Sequence, residues 1–211
     1  MSGNVTIVQA CDRKEITGLY DFFANETACG LMETVVESSR QIGIWRSMLM
    51  LLLIECLIGI ALFTLIVIPM DLKDPLAVIG DYPPAIRIRC EELGLIEKRE
   101  KQLSKKDLIK KGVAVIVLVL IAAFVMIKIN HATTFLQGFG YTYIIWLAIT
   151  WFDALVIDCV WFCHSKRMRV PGTEDMKEYH DYLFHIKASC IGTLIGLPAC
   201  AAVGLIVMLF A

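Results

Sequence analysis

The chain has 211 residues, 57% of them hydrophobic, with a mean hydropathy of +0.67 and a formal net charge of −1. A soluble domain holds about 45–50% apolar residues, so the excess here must face something other than a small core, and lipid is the obvious solvent. The near-neutral balance excludes a globally basic nucleic-acid binder.

Residues 1–44 carry scattered charges and no continuous apolar core, unlike a cleavable signal peptide. Within this tail Leu19, Phe22, Phe23, Leu31, Val35 and Val36 alternate with acids, which predicts one or two amphipathic helices lying on a membrane surface. Residues 45–211 read as a four-span membrane domain. A span needs about 20 apolar residues. Ser47–Ile68, Gly112–Ile129, Tyr141–Cys163 and Ala188–Ala211 meet that length or nearly so. The second is slightly short, and Lys128 at its end can snorkel to the headgroups.

Between the first and second spans, loop 69–111 contains Asp81-Tyr82-Pro83-Pro84, which predicts a short helix over Pro83–Leu93 with Asp81 accepting its orphan amides. Gly94 supplies the stop. Ser104 and Asp107 resemble a capping box that opens the next helix. Between the third and fourth spans, loop 164–187 contains a Pro171-Gly172 turn, followed by Thr173 as a cap and Glu174-Asp175 in a first turn. Met176, Tyr179, Leu183 and Ile186 then recur at helical spacing, predicting a helix that continues into the fourth span. These two loops hold fifteen of the twenty basic residues, and the turn Asn130–Gly140 holds none. The positive-inside rule therefore places both loops in the cytosol and both termini outside, although Arg40 and Arg46 beside the first span argue the other way.

Three acids interrupt apolar runs: Glu55 in the first span, and Asp153 and Asp158 in the third. Each costs roughly 2.5–3.5 kcal/mol on insertion scales, so such a residue has a partner or a task. On an α-helix Asp153 shares a face with His164, about 16 Å along the axis, while Asp158 falls on a different side. The two acids are thus not expected to pair on their own helix, and no lysine or arginine in the spans is placed to neutralise them. They are proton, cation or acid–base candidates together with His164, or they are interhelical glue. Lys166 and Arg167 are candidates for holding an anionic headgroup.

His164, His180 and His185 have poor spacing for a metal, and no metal site or cofactor is expected. Of the eight cysteines, Cys56, Cys159, Cys163, Cys190 and Cys200 fall in apolar runs and read as small hydrophobes. In the fourth span Ala188, Gly192, Gly196, Cys200 and Gly204 recur every four residues, a small-residue seam that lets another helix approach closely.

The segments Asp81-Tyr82-Pro83-Pro84-Ala85-Ile86, Trp161-Phe162-Cys163-His164-Ser165-Lys166-Arg167 and Pro171-Gly172-Thr173-Glu174-Asp175 resemble motifs of small bacterial membrane proteins. The resemblance covers roughly residue 49 to the end. It implies a multi-pass protein of the bacterial inner (plasma) membrane and carries no activity. The resulting expectation is an all-α, four-helix transmembrane bundle with short amphipathic cytosolic helices. Its expected surroundings are the lipid bilayer and other membrane subunits or further copies of itself, with no nucleic acid. Movement of a proton or cation leads among its functions. An enzyme acting on a lipid-phase substrate at the cytosolic interface, with Asp158 as general base, and a purely structural membrane subunit are the alternatives.

Overall fold

The computed structural model describes residues 5–96 and 105–211. The described residues are helical throughout apart from turns, and four helices are long and apolar enough to cross a membrane: Ile42–Lys73, Leu108–Lys128, Phe135–Phe162 and Tyr182–Phe210. The architecture is an all-α four-helix bundle. Large apolar side chains such as Leu57, Leu65 and Leu118 stand exposed along the spans. In water these would form an adhesive surface, whereas in lipid they are simply solvated.

Residues up to Met50 form one compact unit and residues from Leu51 onward another. Helix α1 runs over Val5–Lys73. In the first unit Arg40 pairs with Glu37 at 3.3 Å, an exposed (i, i+3) contact on the helix surface. The tail positions from Leu19 to Val36 that suggested amphipathic helices lie outside the residues whose side chains are described.

In the second unit, the chain leaves α1 through a 3₁₀ turn, Ile79–Asp81, and enters the short helix α2, Pro84–Glu92. Pro at the first turn and the stop at Gly94 agree with the sequence reading. Gly94 has φ +71°, its amide bonds to Glu91 O at 3.1 Å, and the Leu95 amide reaches back to Cys90 O at 3.0 Å, a Schellman closure. Asp81 does not cap α2: the cap position belongs to Pro83, and no side chain takes its amides. Of the capping pair expected at Ser104 and Asp107, Ser104 lies outside the described residues, and the Asp107 side chain is not among those described.

Helix α3, Lys105–Lys128, and helix α4, Phe135–Phe152, are joined by a tight turn in which His131 adopts φ +50°. The third span starts six residues earlier than its apolar run suggested. Thr134 and Gln137 form a capping box there, Thr134 Oγ1 accepting from the Gln137 amide at 3.3 Å. Beyond α4 the span continues as a π-helix over Asp153–Phe162. Helix α5, Tyr182–Phe210, completes the bundle and is the most buried of the four spans.

Helix α5 does not begin at Thr173. Pro171-Gly172 does turn the chain, with Gly172 at φ +86° and the Thr173 amide on Val170 O at 3.0 Å. Thr173 is buried, however, and its hydroxyl donates to Val170 O at 2.8 Å and lies 2.7 Å from the Tyr179 hydroxyl. A 3₁₀ turn, Lys177–His180, intervenes. Asp181 then opens α5 by accepting from the Phe184 amide at 3.0 Å. The change of register turns Leu183 outward, 59% exposed, and buries His185, 3% exposed.

Two cores hold the second unit together. Toward the α3–α4 turn, Ala123 and Met126 of α3 meet Val203 and Val207 of α5, with Tyr141 and Ile145 of α4 alongside. At the opposite end the two long loops fold into a cap. Ile79, Tyr82, Ile86 and Cys90 pack against Phe162, Cys163, Met168, Val170 and Tyr179. Tyr82 donates to Met168 O at 2.9 Å, the Val170 amide donates to the Tyr179 hydroxyl at 3.0 Å, and Arg169 stands 3.9 Å over the Tyr179 ring. Each buried polar atom in this list meets a partner, as burial requires. The loops are thus a folded cap and not plain tethers.

The small-residue seam of α5 faces α4. A Cβ on Gly196 would fall 2.1 Å from Trp146 Nε1, and one on Gly204 would fall 2.8 Å from Phe135 O, so both contacts require glycine. Trp146 Nε1 donates to Gly192 O at 3.1 Å across this seam. Cys200 is buried in it, while Ala188 is exposed and lies outside it.

Candidate functional site

The π-helix decides the geometry of the intramembrane acids. In an α-helix, residues five apart point in widely different directions. The π register bonds i to i+5, which brings residues five apart nearer to one face than an α-helix does. The Cys163 amide bonding to the Asp158 carbonyl, five residues back, marks that register. Asp153 and Asp158 interact electrostatically on their own helix. The expectation that they fall on different sides rested on α-helical spacing, which does not hold over Asp153–Phe162. No proline or glycine in Asp153–Phe162 signals the change.

A basic partner for Asp158 also exists, though it is a histidine. His185 Nδ1 lies 3.1 Å from Asp158 Oδ2, with the imidazole almost fully buried. Phe162 and Phe184 close on the ring edge-on, at centroid distances of 5.3 and 5.2 Å. With Nδ1 on the carboxylate, the second ring nitrogen, Nε2, is buried and has no hydrogen-bond partner.

Two further carboxylates join the group from the cap end. Asp71, near the end of α1, and Asp81, closing the first 3₁₀ turn, both interact electrostatically with Asp158 and with each other, and both act on Asp153. Asp81 keeps exposed surface, yet its carboxyl sits among protein atoms. Desolvation raises its pKa above the usual aspartate value, Asp158 raises it further, and Lys111 of α3 and His185 oppose the rise. The site is therefore the Asp158–His185 pair under the cap, with Asp71, Asp81 and Asp153 within electrostatic range of Asp158, a carboxylate–histidine cluster in that sense. Three of these, Asp71, Asp81 as a member of the cluster and His185, do not stand out in the sequence.

The other sequence candidates lie elsewhere. Glu55 accepts from Asn130 Nδ2 at 2.6 Å, beside the α3–α4 turn, and its other oxygen is buried without a partner. It belongs with that turn and not with Asp153 and Asp158. His164 is exposed. Its Nδ1 lies 2.9 Å from Val160 O, its Nε2 is 3.5 Å from the Tyr182 hydroxyl, and it packs on His180 at a centroid distance of 5.5 Å. Lys166 and Arg167 lie exposed on the 3₁₀ turn Lys166–Met168 that follows it. Cys90 is fully buried and burial raises its thiol pKa, so it is a core thiol and not a reactive one.

Chemically, the cluster can bind and release protons or attract a cation. Low dielectric and like charges together favour uptake of positive charge. Among the described residues no three histidine, cysteine, aspartate or glutamate side chains converge as a metal site. Comparison of the chain with protein-family models, curated proteins and solved structures finds no match.

Proposed function

We propose that this is a multi-pass membrane protein that takes up and releases protons, or moves them in exchange for a cation, through the carboxylate–histidine cluster under its cap. The observation that carries the reading is the Asp158–His185 pair at 3.1 Å, with Asp158 on the π segment that Asp153 opens. Interhelical glue needs one donor and one acceptor. Here Asp158 holds a buried imidazole whose second nitrogen has no partner, and Asp81 and Asp153 act electrostatically on the same ring, which suits a site whose charge changes during work.

The positive-inside rule supports placing the cap, with its basic loops, at the cytosolic face of a bacterial inner membrane, and both termini outside. Headgroup binding by Lys166 and Arg167 is separate from the cluster in this reading, since His164 and the residues after it lie on the exposed side.

The test is proton uptake into vesicles reconstituted with the full chain, driven by an imposed pH difference and read with an internal pH dye. Wild type acidifies the lumen faster than empty vesicles, and Asp158→Asn and His185→Gln reduce uptake to the empty-vesicle rate while folded yield is retained. Wild-type uptake in both variants would overturn the reading in favour of structural glue. Dependence of uptake on sodium, potassium or magnesium opposite the proton identifies exchange.

A further inference from the structure

We infer that the exposed corner where the third span ends and the fourth begins is a binding site for an anionic phospholipid, with Lys166 and Arg167 holding the phosphate against a platform made by His164, His180 and Tyr182. The inference is independent of the proton-handling reading and uses none of the residues invoked there.

The third span ends at Phe162 and the fourth begins at Tyr182, so these residues lie at or just beyond a span end, where headgroups and water meet. The three rings are joined by direct contacts. His164 meets His180 edge to face at a centroid distance of 5.5 Å and stacks on Tyr182 at 6.3 Å, and His180 meets Tyr182 at 6.4 Å. The His164 ring is also oriented by its own nitrogens. Nδ1 lies 2.9 Å from Val160 O, one turn back in the span, and a carbonyl only accepts, so Nδ1 carries the proton of that bond. Nε2 then points toward the Tyr182 hydroxyl at 3.5 Å. The platform is thus fixed between two spans, yet all three rings remain exposed.

The charge beside this platform is positive and unmatched. Residues 164–169 hold Lys166, Arg167 and Arg169 and no acid. Arg169 belongs to the cap, donating to Cys163 O at 2.7 Å and covering the Tyr179 ring. Lys166 and Arg167 are exposed and make no ion pair among the described residues. Asp181, between His180 and Tyr182, accepts from the Phe184 amide as the cap of α5. On the membrane side of the corner the surface is apolar: Val160 in the last turn of the third span and Leu183 in the first turn of the fourth both stand exposed. Fixed positive charge at the headgroup level above apolar side chains is the complement of an anionic phospholipid, phosphate above and acyl chain below. A free phosphate would use the first feature only. Tyr182, amphipathic itself, suits the boundary between the two.

The experiment titrates the full chain in neutral detergent with phosphatidylglycerol or phosphatidylcholine and reads bound lipid by native mass spectrometry. Phosphatidylglycerol binds more tightly than phosphatidylcholine. Lys166→Gln and Arg167→Gln each weaken its binding by about fivefold, and the double variant by about twenty-five-fold. Lys128→Gln removes the same charge from an exposed position at the other end of the bundle and leaves binding unchanged. His164→Ala combined with His180→Ala, which dismantles the platform, weakens binding as well. Should that variant fail to fold, the exposed Lys166 and Arg167 changes decide the matter. Glycerol phosphate, which carries the charge without acyl chains, does not displace the lipid at equal concentration. Equal affinity for the two lipids, or an equal loss in Lys128→Gln and the two site variants, overturns the inference. Displacement by glycerol phosphate at equal concentration overturns it in favour of a soluble anion.

Discussion

Asp158 and His185 reach each other from two different spans and stand 3.1 Å apart, His185 nearly sealed from solvent and Asp158 partly open. A contact of this kind ties α5 to the π segment at the capped end. Breaking it from either side strands the other group. Asp158→Asn and His185→Gln are therefore each expected to destabilise the protein by about 1–3 kcal/mol, measured by unfolding in detergent. The double variant should cost less than the two added together, with a coupling of about 1 kcal/mol. Strict additivity would show that the two side chains do not interact.

Asp81 gives a stability prediction whose sign depends on pH. Burial raises its folded pKa above the ordinary 3.8, so the fold holds a proton on this carboxyl more tightly than the unfolded chain does. Below the ordinary value both states are protonated and nothing is lost. As pH rises from there through the folded pKa, stability is lost because the fold must carry a desolvated charge. Asp81→Asn removes that cost. Its melting temperature should exceed that of wild type at neutral pH, and the difference should close when the comparison is made in acid below the ordinary aspartate range. Equal melting temperatures of the two proteins at neutral pH would show that Asp81 carries no such desolvation cost.

Tyr179 joins three parts of the cap through one hydroxyl, which receives the Val170 amide at 3.0 Å and lies 2.7 Å from Thr173 Oγ1. Tyr179→Phe keeps the ring beneath Arg169 but leaves the Val170 amide without its acceptor. The expected loss is about 1–3 kcal/mol, with the cap more open to proteolysis between Arg167 and Lys177. Equal stability and equal digestion rates would show that the cap does not depend on this hydroxyl.

The spans are legible in the sequence because about 20 apolar residues in a row have few other uses. Their ends are less so. The first span reaches Lys73 and thereby includes Asp71, a residue that hydropathy assigns to a loop. Two features of the site escape sequence reasoning for physical reasons. The π register over Asp153–Phe162 lacks a breaker, and it cannot be read from Asp-Ala-Leu-Val-Ile-Asp, which suits an ordinary α-helix equally well. His185 is buried and Leu183 exposed, the reverse of the stripe Met176, Tyr179, Leu183 and Ile186, and α5 starts at Asp181 and not at Thr173. Which of two plausible caps wins is decided by Thr173, whose hydroxyl is already used by Val170 and Tyr179.

The seam between α4 and α5 separates two glycines that the four-residue ladder treats alike. A Cβ on Gly196 would fall 2.1 Å from Trp146 Nε1, inside any allowed contact, while one on Gly192 would meet Thr150 Cγ2 at 3.4 Å. Gly196→Ala should therefore destabilise by about 1–3 kcal/mol, as overpacked positions do, and Gly192→Ala far less. Leucine at either position should force the helices apart. Thermal unfolding in detergent distinguishes the two alanine variants, and equal melting temperatures would contradict the assigned contact.

Sidedness can be tested with cysteine labelling, provided the reporter is chosen from the structure. Cys90 lies in a charged loop, which suggests a ready target, but it is fully buried in the cap core and should stay unmodified on either side of the membrane. Lys177→Cys, on the exposed surface of the cap, and His131→Cys, exposed at the α3–α4 turn, are suitable in a background lacking other accessible thiols. If fifteen basic residues hold the cap in the cytosol, an impermeant maleimide added to intact cells labels residue 131 and spares residue 177. After the cells are opened, residue 177 is labelled as well, while native Cys90 reacts only when the cap is unfolded. Labelling of residue 177 but not residue 131 in intact cells would invert the topology and place the cap on the outer face.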